Sequence, residues 1–297
     1  MFPNLRITLP NLVKSLTTQK RSYSCENSFA KCKVGLVTGG AGNLGTHFAH
    51  LLLKSGAKAV VIADIADIKQ KPQICDLMKT YGSDKVEYKV VDITNKDTLR
   101  KAYKSIIYYH GQLDFVINCA RHMSIDNWER DICVNNYGML LSTFMGMEYM
   151  GNQACKGIGG TIVNVGSMAG VQPFYPVPVY TGSQHFLVQF VRSIGHDFYF
   201  YKSNVRIMGF LTGGICRAGK TSPLSEPMKK DSPWKCIADL QGLVDQELKK
   251  VKMYDPKIYE DALDVVMTDG RNGDIWVAEG IELYKVLPYT REKLRAQ

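Results

Sequence analysis

The densest chemistry in the sequence is the run Thr38-Gly39-Gly40-Ala41-Gly42-Asn43-Leu44-Gly45. Glycines at this spacing let a backbone turn tightly and come close to a pyrophosphate, and a helix starting there offers N–H groups and a partial positive charge. Asp64 follows Gly45 by 19 residues and closes the next apolar run. A carboxylate at that place accepts hydrogen bonds from adenosine ribose hydroxyls and repels a 2′-phosphate, so the expected cofactor is NAD rather than NADP. Asp92 and Ile93 close the third apolar run. The Asp side chain there either meets an adenine edge or caps the following helix. The eight cysteines show no Cys-x-x-Cys pair and no Cys/His cluster at zinc spacing. They read as free thiols of a reducing compartment, with Cys119 a small buried residue. His47 and His50 read as surface or packing residues of the first helix.

These groups need a scaffold, and the apolar pattern supplies one. Short apolar runs occur at Val34–Val37, Ala59–Ala63, Val86–Val91, Leu113–Ile117, Thr161–Val165, Val205–Met208 and Ile275–Val277. Helical patterns separate them, the first passing through His47, Leu51, Leu52 and Leu53. Strands alternating with helices imply βαβ crossovers and a parallel sheet buried on both faces. The fold class is therefore α/β: a single Rossmann-like, doubly wound parallel sheet flanked by helices, over residues 32–297. Residues 214–235, rich in Gly, Lys, Ser and Pro, read as an irregular excursion within that domain.

With the order of elements in view, the chain resembles the short-chain dehydrogenase/reductase family over residues 33–280. Thr38 to Gly45 resembles the family's Thr-Gly-x-x-x-Gly-x-Gly turn, and Asn118-Cys119-Ala120-Arg121 its Asn-Asn-Ala-Gly. Val134-Asn135 resembles the active-site helix Asn. Ser167 follows the fifth run, and Tyr180 comes thirteen residues later. Asn127-Trp128-Glu129, Val163 to Gly170, Pro178-Val179-Tyr180 and Asn272 to Val277 look most like the NAD-dependent 15-hydroxyprostaglandin dehydrogenase branch. The resemblance implies hydride transfer between a nicotinamide and a secondary alcohol or its ketone, with an apolar or lipid-like substrate. It makes Tyr180 the acid/base, Ser167 the anchor of the substrate oxygen and Asn135 a proton relay. It implies an NAD site lined by Gly39, Asn43, Leu44, Gly45, Asp64, Asp92, Ile93, Asn118, Ala120, Tyr180, Gln184, Gly213 and Ile215. It also implies a homodimer built from the helices around Leu140 and Phe190.

The departures from the family pattern concern charge and space. The family's Lys four residues after the Tyr lies on the same helix face and depresses the phenol pKa. Here that residue is Gln184, which can still hydrogen-bond a ribose hydroxyl but carries no charge. No Lys or Arg lies between Gly170 and Arg192 to replace it. A phenol near its ordinary pKa of about 10 serves as an acid at neutral pH and fails as a base. Reduction should therefore survive better than oxidation. Asn43 replaces the middle glycine of the turn, adding bulk while tolerating a left-handed backbone. Arg121 replaces a glycine and should narrow the space beside the adenosine ribose. Arg217 stands where the family has the Thr that holds the nicotinamide carboxamide, and Val177 where the prostaglandin branch has a substrate-contacting Gln. Two readings stay open: an NAD-dependent oxidoreductase, or a catalytically impaired relative that binds nucleotide or serves a structural role.

Composition narrows the partners. The formal charge is +9, but the first 25 residues hold Arg6, Lys14, Lys20 and Arg21 and no acid, which leaves +5 for the rest. That mild excess argues against nucleic acid as a partner and leaves a small-molecule substrate. No run of eighteen apolar residues exists, so no membrane span is expected. Residues 1–25 read as a mitochondrial leader or a disordered extension, since the start is basic, acid-free and contains Ser and Thr. The expected location is mitochondrial, with the cytoplasm as the alternative.

Overall fold

A computed structural model describes residues 6–8, 28–152, 157–215, 232, 234–237 and 239–288. In chain order its elements are β1 (Arg6–Thr8), β2 (Val34–Thr38), α1 (Asn43–Lys54), β3 (Ala59–Asp64), α2 (Pro72–Tyr81), β4 (Val86–Val90), α3 (Lys96–His110) and β5 (Phe115–Asn118). There follow α4 (Trp128–Ile132), a π-helical turn (Cys133–Gly138), α5 (Met139–Met150), β6 (Gly160–Ser167), α6 (Pro178–Ile194), α7 (Asp197–Ser203) and β7 (Val205–Thr212). The chain closes with β8 (Gly214–Ile215), α8 (Leu240–Lys250), β9 (Met253–Tyr254), α9 (Pro256–Asp269), β10 (Ile275–Glu279) and β11 (Glu282–Lys285).

The main sheet runs β1-β11-β10-β7-β6-β5-β2-β3-β4. Its body from β4 to β10 is parallel, and β11 and β1 add antiparallel strands at one edge. Every residue of β2 is buried, as a strand covered on both faces must be. Its residues alternate between two cores. Val37 joins Phe48, Leu52, Phe210 and Leu263 on the α1, α2 and α9 side. Val34 and Leu36 join Leu99, Tyr103, Met145 and Tyr149 on the α3 and α5 side. α6 covers β7 and β10 through Leu187, Val188 and Val191.

All seven expected strands are present, with ends shifted by a few residues. Leu113 lies outside its strand, which starts at Phe115. The sequence reading did not anticipate β1, β8, β9 or β11. β1 pairs Arg6 with Tyr284 and Thr8 with Glu282, so this part of the expected leader is a strand of the sheet. Residues 216–231, most of the expected irregular excursion, lie outside the described residues, as does most of 1–25.

The chain leaves β2 outward through β3 and β4, then returns to its other side at β5. Strand order reverses between β2 and β5, and the crevice beyond their carboxyl ends is where open α/β sheets bind ligands.

Candidate active site

The turn from β2 into α1 is shaped by close approach. Gly39 has φ +62°, and a Cβ there would stand 2.4 Å from the Ala120 Cα. A Cβ on Gly45 would stand 2.3 Å from the Gly39 carbonyl oxygen. Gly42 is the N-cap of α1 and has no side chain to satisfy the first-turn N–H groups, and no acid stands in that turn. Leu44 is buried in the first turn, so it brings the groove its backbone. Asn43 is the first helical residue and has no left-handed φ, so its tolerance of that conformation is not used here.

Asp64 ends β3 at the mouth of the crevice. Its carboxylate accepts from Ala41 N at 3.1 Å and Ala66 N at 3.2 Å, which ties the glycine turn to the strand end. Each carboxylate oxygen keeps acceptor capacity for a ribose hydroxyl. Asp92 accepts from Thr94 and pairs with Arg130 at 3.3 Å. Burial alone would raise its carboxyl, but the Thr94 hydrogen bonds and the Arg130 charge hold it below the usual range. It does not cap α3; Asn95 does.

Two expected cofactor contacts turn inward. The Asn118 side chain is buried and bridges Asn164 at 2.8 Å, Thr143 at 3.2 Å and Thr38 at 3.3 Å, so it locks strand ends together and does not face the groove. Ile93 packs in the core with Leu99 and Val134. At the other end of the crevice, Gly213 N donates to Ala278 O, and Ile215 leans on the core beside α9. Arg217 lies outside the described residues.

Ser167 ends β6, and its Oγ accepts from Ala169 N at 3.3 Å. That bond leaves the hydroxyl proton to donate to a substrate oxygen. Tyr180 lies in the first turn of α6 and packs against Ala169, Ile125, Val177 and Val244. It is only 4% exposed. Trp234, Leu240 and Val244 of the α8 region pack in the same cluster, and the cavity bordered by Tyr180, Trp234 and Leu240 is about 10 Å³, room for at most one water.

Gln184 corrects the sequence reading most sharply. It is 1% exposed and does not reach out to a ribose. Its Oε1 accepts from Ser167 N at 3.0 Å and its Nε2 donates to Ser183 Oγ at 3.2 Å. An amide, which can donate and accept at once, ties α6 to the end of β6; an ammonium cannot accept. Asn135 also departs from its expected role. It sits in the π-helical turn and forms a closed pair with the backbone of His122, at 2.8 and 2.9 Å. Its Nδ2 donates to Ser183 Oγ at 3.1 Å, and Ser183 Oγ donates to Tyr180 O. Asn135, Ser183 and Gln184 therefore brace the backbone around Tyr180 and Ser167.

Three features escaped the sequence reading. Arg121, expected to narrow the space beside the adenosine ribose, donates its Nη1 to Gly166 O on β6 at 3.1 Å. His122 Nδ1 lies 2.7 Å from the fully buried Asp131, whose carboxyl is pushed up by burial against the pull of His122. No local spacing signals that pair. His47 and His50 both meet Glu260 of α9, at 3.2 and 3.1 Å, and Lys257 joins them at 3.0 Å. Their i, i+3 spacing put both histidines on one helix face, which was the available signal. Cys119 is half-buried, and burial pushes its thiol up to about 12, so it is no nucleophile.

A glycine turn on a helix start, an acid ending β3, and a hydroxyl and a phenol near the end of β6 suit a nicotinamide dinucleotide. Among the described residues the diphosphate and adenosine half is well supplied, whereas the inward Gln184 leaves the nicotinamide ribose without its expected partner. The comparisons agree with the architecture. The 15-hydroxyprostaglandin dehydrogenase [NAD(+)] of Bos taurus is 28% identical over 244 residues, 82% of this chain and 89% of that one. Alcohol dehydrogenase 2 of Ceratitis capitata is 28% identical over 255 residues, 85% of this chain and 93% of its own. The crystal structure of a short-chain type dehydrogenase/reductase from Mycobacterium marinum superposes with a TM-score of 0.68 at 18% identity, over 86% of this chain and 98% of that one. The profile of the short chain dehydrogenases matches residues 33–227, and the chain belongs to that family of oxidoreductases.

Proposed function

We propose that the protein binds NAD and reduces an apolar ketone to a secondary alcohol, slowly and with little capacity for the reverse reaction. The observation that carries this reading is the inward, buried Gln184, a neutral amide four residues after Tyr180 on α6. Asp64 supports NAD over its 2′-phosphorylated form, with Asp67 three residues on adding a second negative charge. The names of the mammalian relatives point to the same cofactor.

The bound nicotinamide would supply the hydride. Ser167 Oγ–H would hold the carbonyl oxygen, and the Tyr180 phenol would deliver the proton to it as the C–H bond forms. A neutral phenol already carries that proton, so reduction needs no base. Oxidation needs a base at that position, and the Gln184 amide brings no charge beside it. The cavity beside Tyr180 has room for about one water, so a ketone there needs space that Trp234 and Leu240 now border.

The test is NADH binding by fluorescence, followed by NADH-linked reduction of apolar ketones, with Gln184→Lys beside the wild type. Binding with slow reduction, and oxidation gained in the variant, is the expected result. Equal oxidation by both proteins would overturn the electrostatic reading. A second reading, a nucleotide-binding protein with no turnover, is favoured by the small cavity beside Tyr180; it gains if the wild type binds NADH and reduces nothing.

Two further proposals concern context. We infer a homodimer through α5 and α6, which expose Phe144 and Phe186 around Phe190. We also infer mitochondrial targeting by residues 1–25, a role that competes with the pairing of Arg6–Thr8 in the sheet. A reporter fused to residues 1–25 decides between them: diffuse cytosolic signal ends the targeting idea.

A further inference from the structure

The pairing of β5 with β6 ends at Asn118 opposite Asn164, yet β6 continues to Ser167 against β7 alone. Beyond Asn118 the β5 chain peels away and opens a gap at the carboxyl edge of the sheet. Arg121 crosses that gap. Its Nη1 donates to Gly166 O at 3.1 Å, one residue before Ser167. That is its one hydrogen bond among the described residues, and an arginine has five N–H donors. The side chain is half-buried, so its charge is partly shielded from solvent. Its field reaches the neighbouring Cys119, where it opposes the effect of Asp64.

The backbone on either side is already part of the groove. Ala120, next to Arg121, touches Gly39 of the glycine turn so closely that no Cβ fits between them. Gly166, at the other end of the bridge, lies beside Gln184 and Ser167. The guanidinium therefore stands between the diphosphate end of the crevice and the Ser167 end. Near Tyr180, α6 offers no cation: Gln184 is buried with both ends of its amide engaged, and Arg192 in the last turn bonds Val286 O and Leu287 O.

We propose that Arg121 is the cation of this site: it binds oxygen acceptors of the dinucleotide, on the diphosphate or the nicotinamide-side ribose, from the loop after β5. The positive charge has moved from the helix to the opposite wall of the groove. This inference rests on the dinucleotide reading above.

The test is a fluorescence titration of the full chain with NADH at low and high salt, using wild type, Arg121→Gln and Arg121→Lys, with melting curves for each. Arg121→Gln should weaken NADH binding by about tenfold or more and flatten its salt dependence, as loss of a charge-assisted contact requires. Arg121→Lys should recover most of the affinity and the salt slope, which a merely structural strut to Gly166 O would not do. NADH binding that is equal or tighter in Arg121→Gln, with an unchanged salt slope, would overturn the proposal, because the side chain would then be filling the groove. Absence of NADH binding by the wild type would overturn the dinucleotide reading itself and this proposal with it.

Discussion

Gln184→Met would keep the bulk of the side chain and remove both ends of its amide. Ser167 N would lose its acceptor inside the fold, a loss of about 1–3 kcal/mol by chemical denaturation. An unchanged midpoint would show that the amide is not structural. Glu260 tests a different residue-scale effect. Burial would raise its carboxyl, but hydrogen bonds from His47 and Lys257 and the nearby charges bring it down to about 2 from an ordinary 4.5. A depressed folded value gives stability that is complete above about pH 4.5 and is lost as the pH falls through 2. Glu260→Gln should therefore be less stable than wild type at pH 7, by about 2 kcal/mol given its partly exposed partners, and the gap should close on acidification. A gap constant from pH 7 to 2 would contradict this. Residue types were legible in the sequence; directions were not. Asn118 and Asn135 stand where the family pattern puts them and Gln184 where it puts a Lys, yet each turns its amide toward protein, and only three-dimensional neighbours decide that.

The strands announced themselves because a parallel sheet buried on both faces needs continuous apolar runs, such as Val34 to Val37 and Ala59 to Ala63. The short strands β1, β8, β9 and β11 lack that signature, since each is an edge or a two-residue bridge made by its partner. The π-helical turn is equally silent: Cys133 to Gly138 reads as ordinary helix, and nothing local marks the Asn135 pair with His122 inside it. Caps behave more simply. Asn95 accepts from Asp97 N and Thr98 N at the start of α3, so Asn95→Ala should cost about 1 kcal/mol in thermal or chemical unfolding. Gly45→Ala should cost about 2 kcal/mol or more, because the added methyl meets the Gly39 carbonyl at 2.3 Å and the turn must open. No loss on that change would mean the turn is looser than its contacts imply.

At the scale of the molecule, alternation of runs and helices was enough to read an α/β fold around a mostly parallel sheet, and the glycine turn lies at the carboxyl edge of that sheet. Oligomeric state depends on what covers α5 and α6. Phe186 is 42% exposed and stacks on Phe190, with Phe144 against the same ring. If those rings meet a second copy, light scattering should give a dimer for the wild type and a monomer for Phe186→Asp. A wild-type monomer at micromolar concentration would exclude this interface. α8 could not be read as a cover from sequence, because its apolar residues are spaced as any surface helix would have them, and their target, Tyr180, lies 60 residues or more away in the chain.

The packing of Trp234 and α8 over Tyr180 also sets how any ketone will be measured. If a ketone binds only where that cover is lifted, the apparent dissociation constant is the intrinsic one divided by the fraction of molecules so opened. Were one molecule in about a hundred uncovered, a compound with micromolar complementarity would register as roughly a hundred micromolar. Screens at low compound concentration would then score as inactive a site that merely spends most of its time shut.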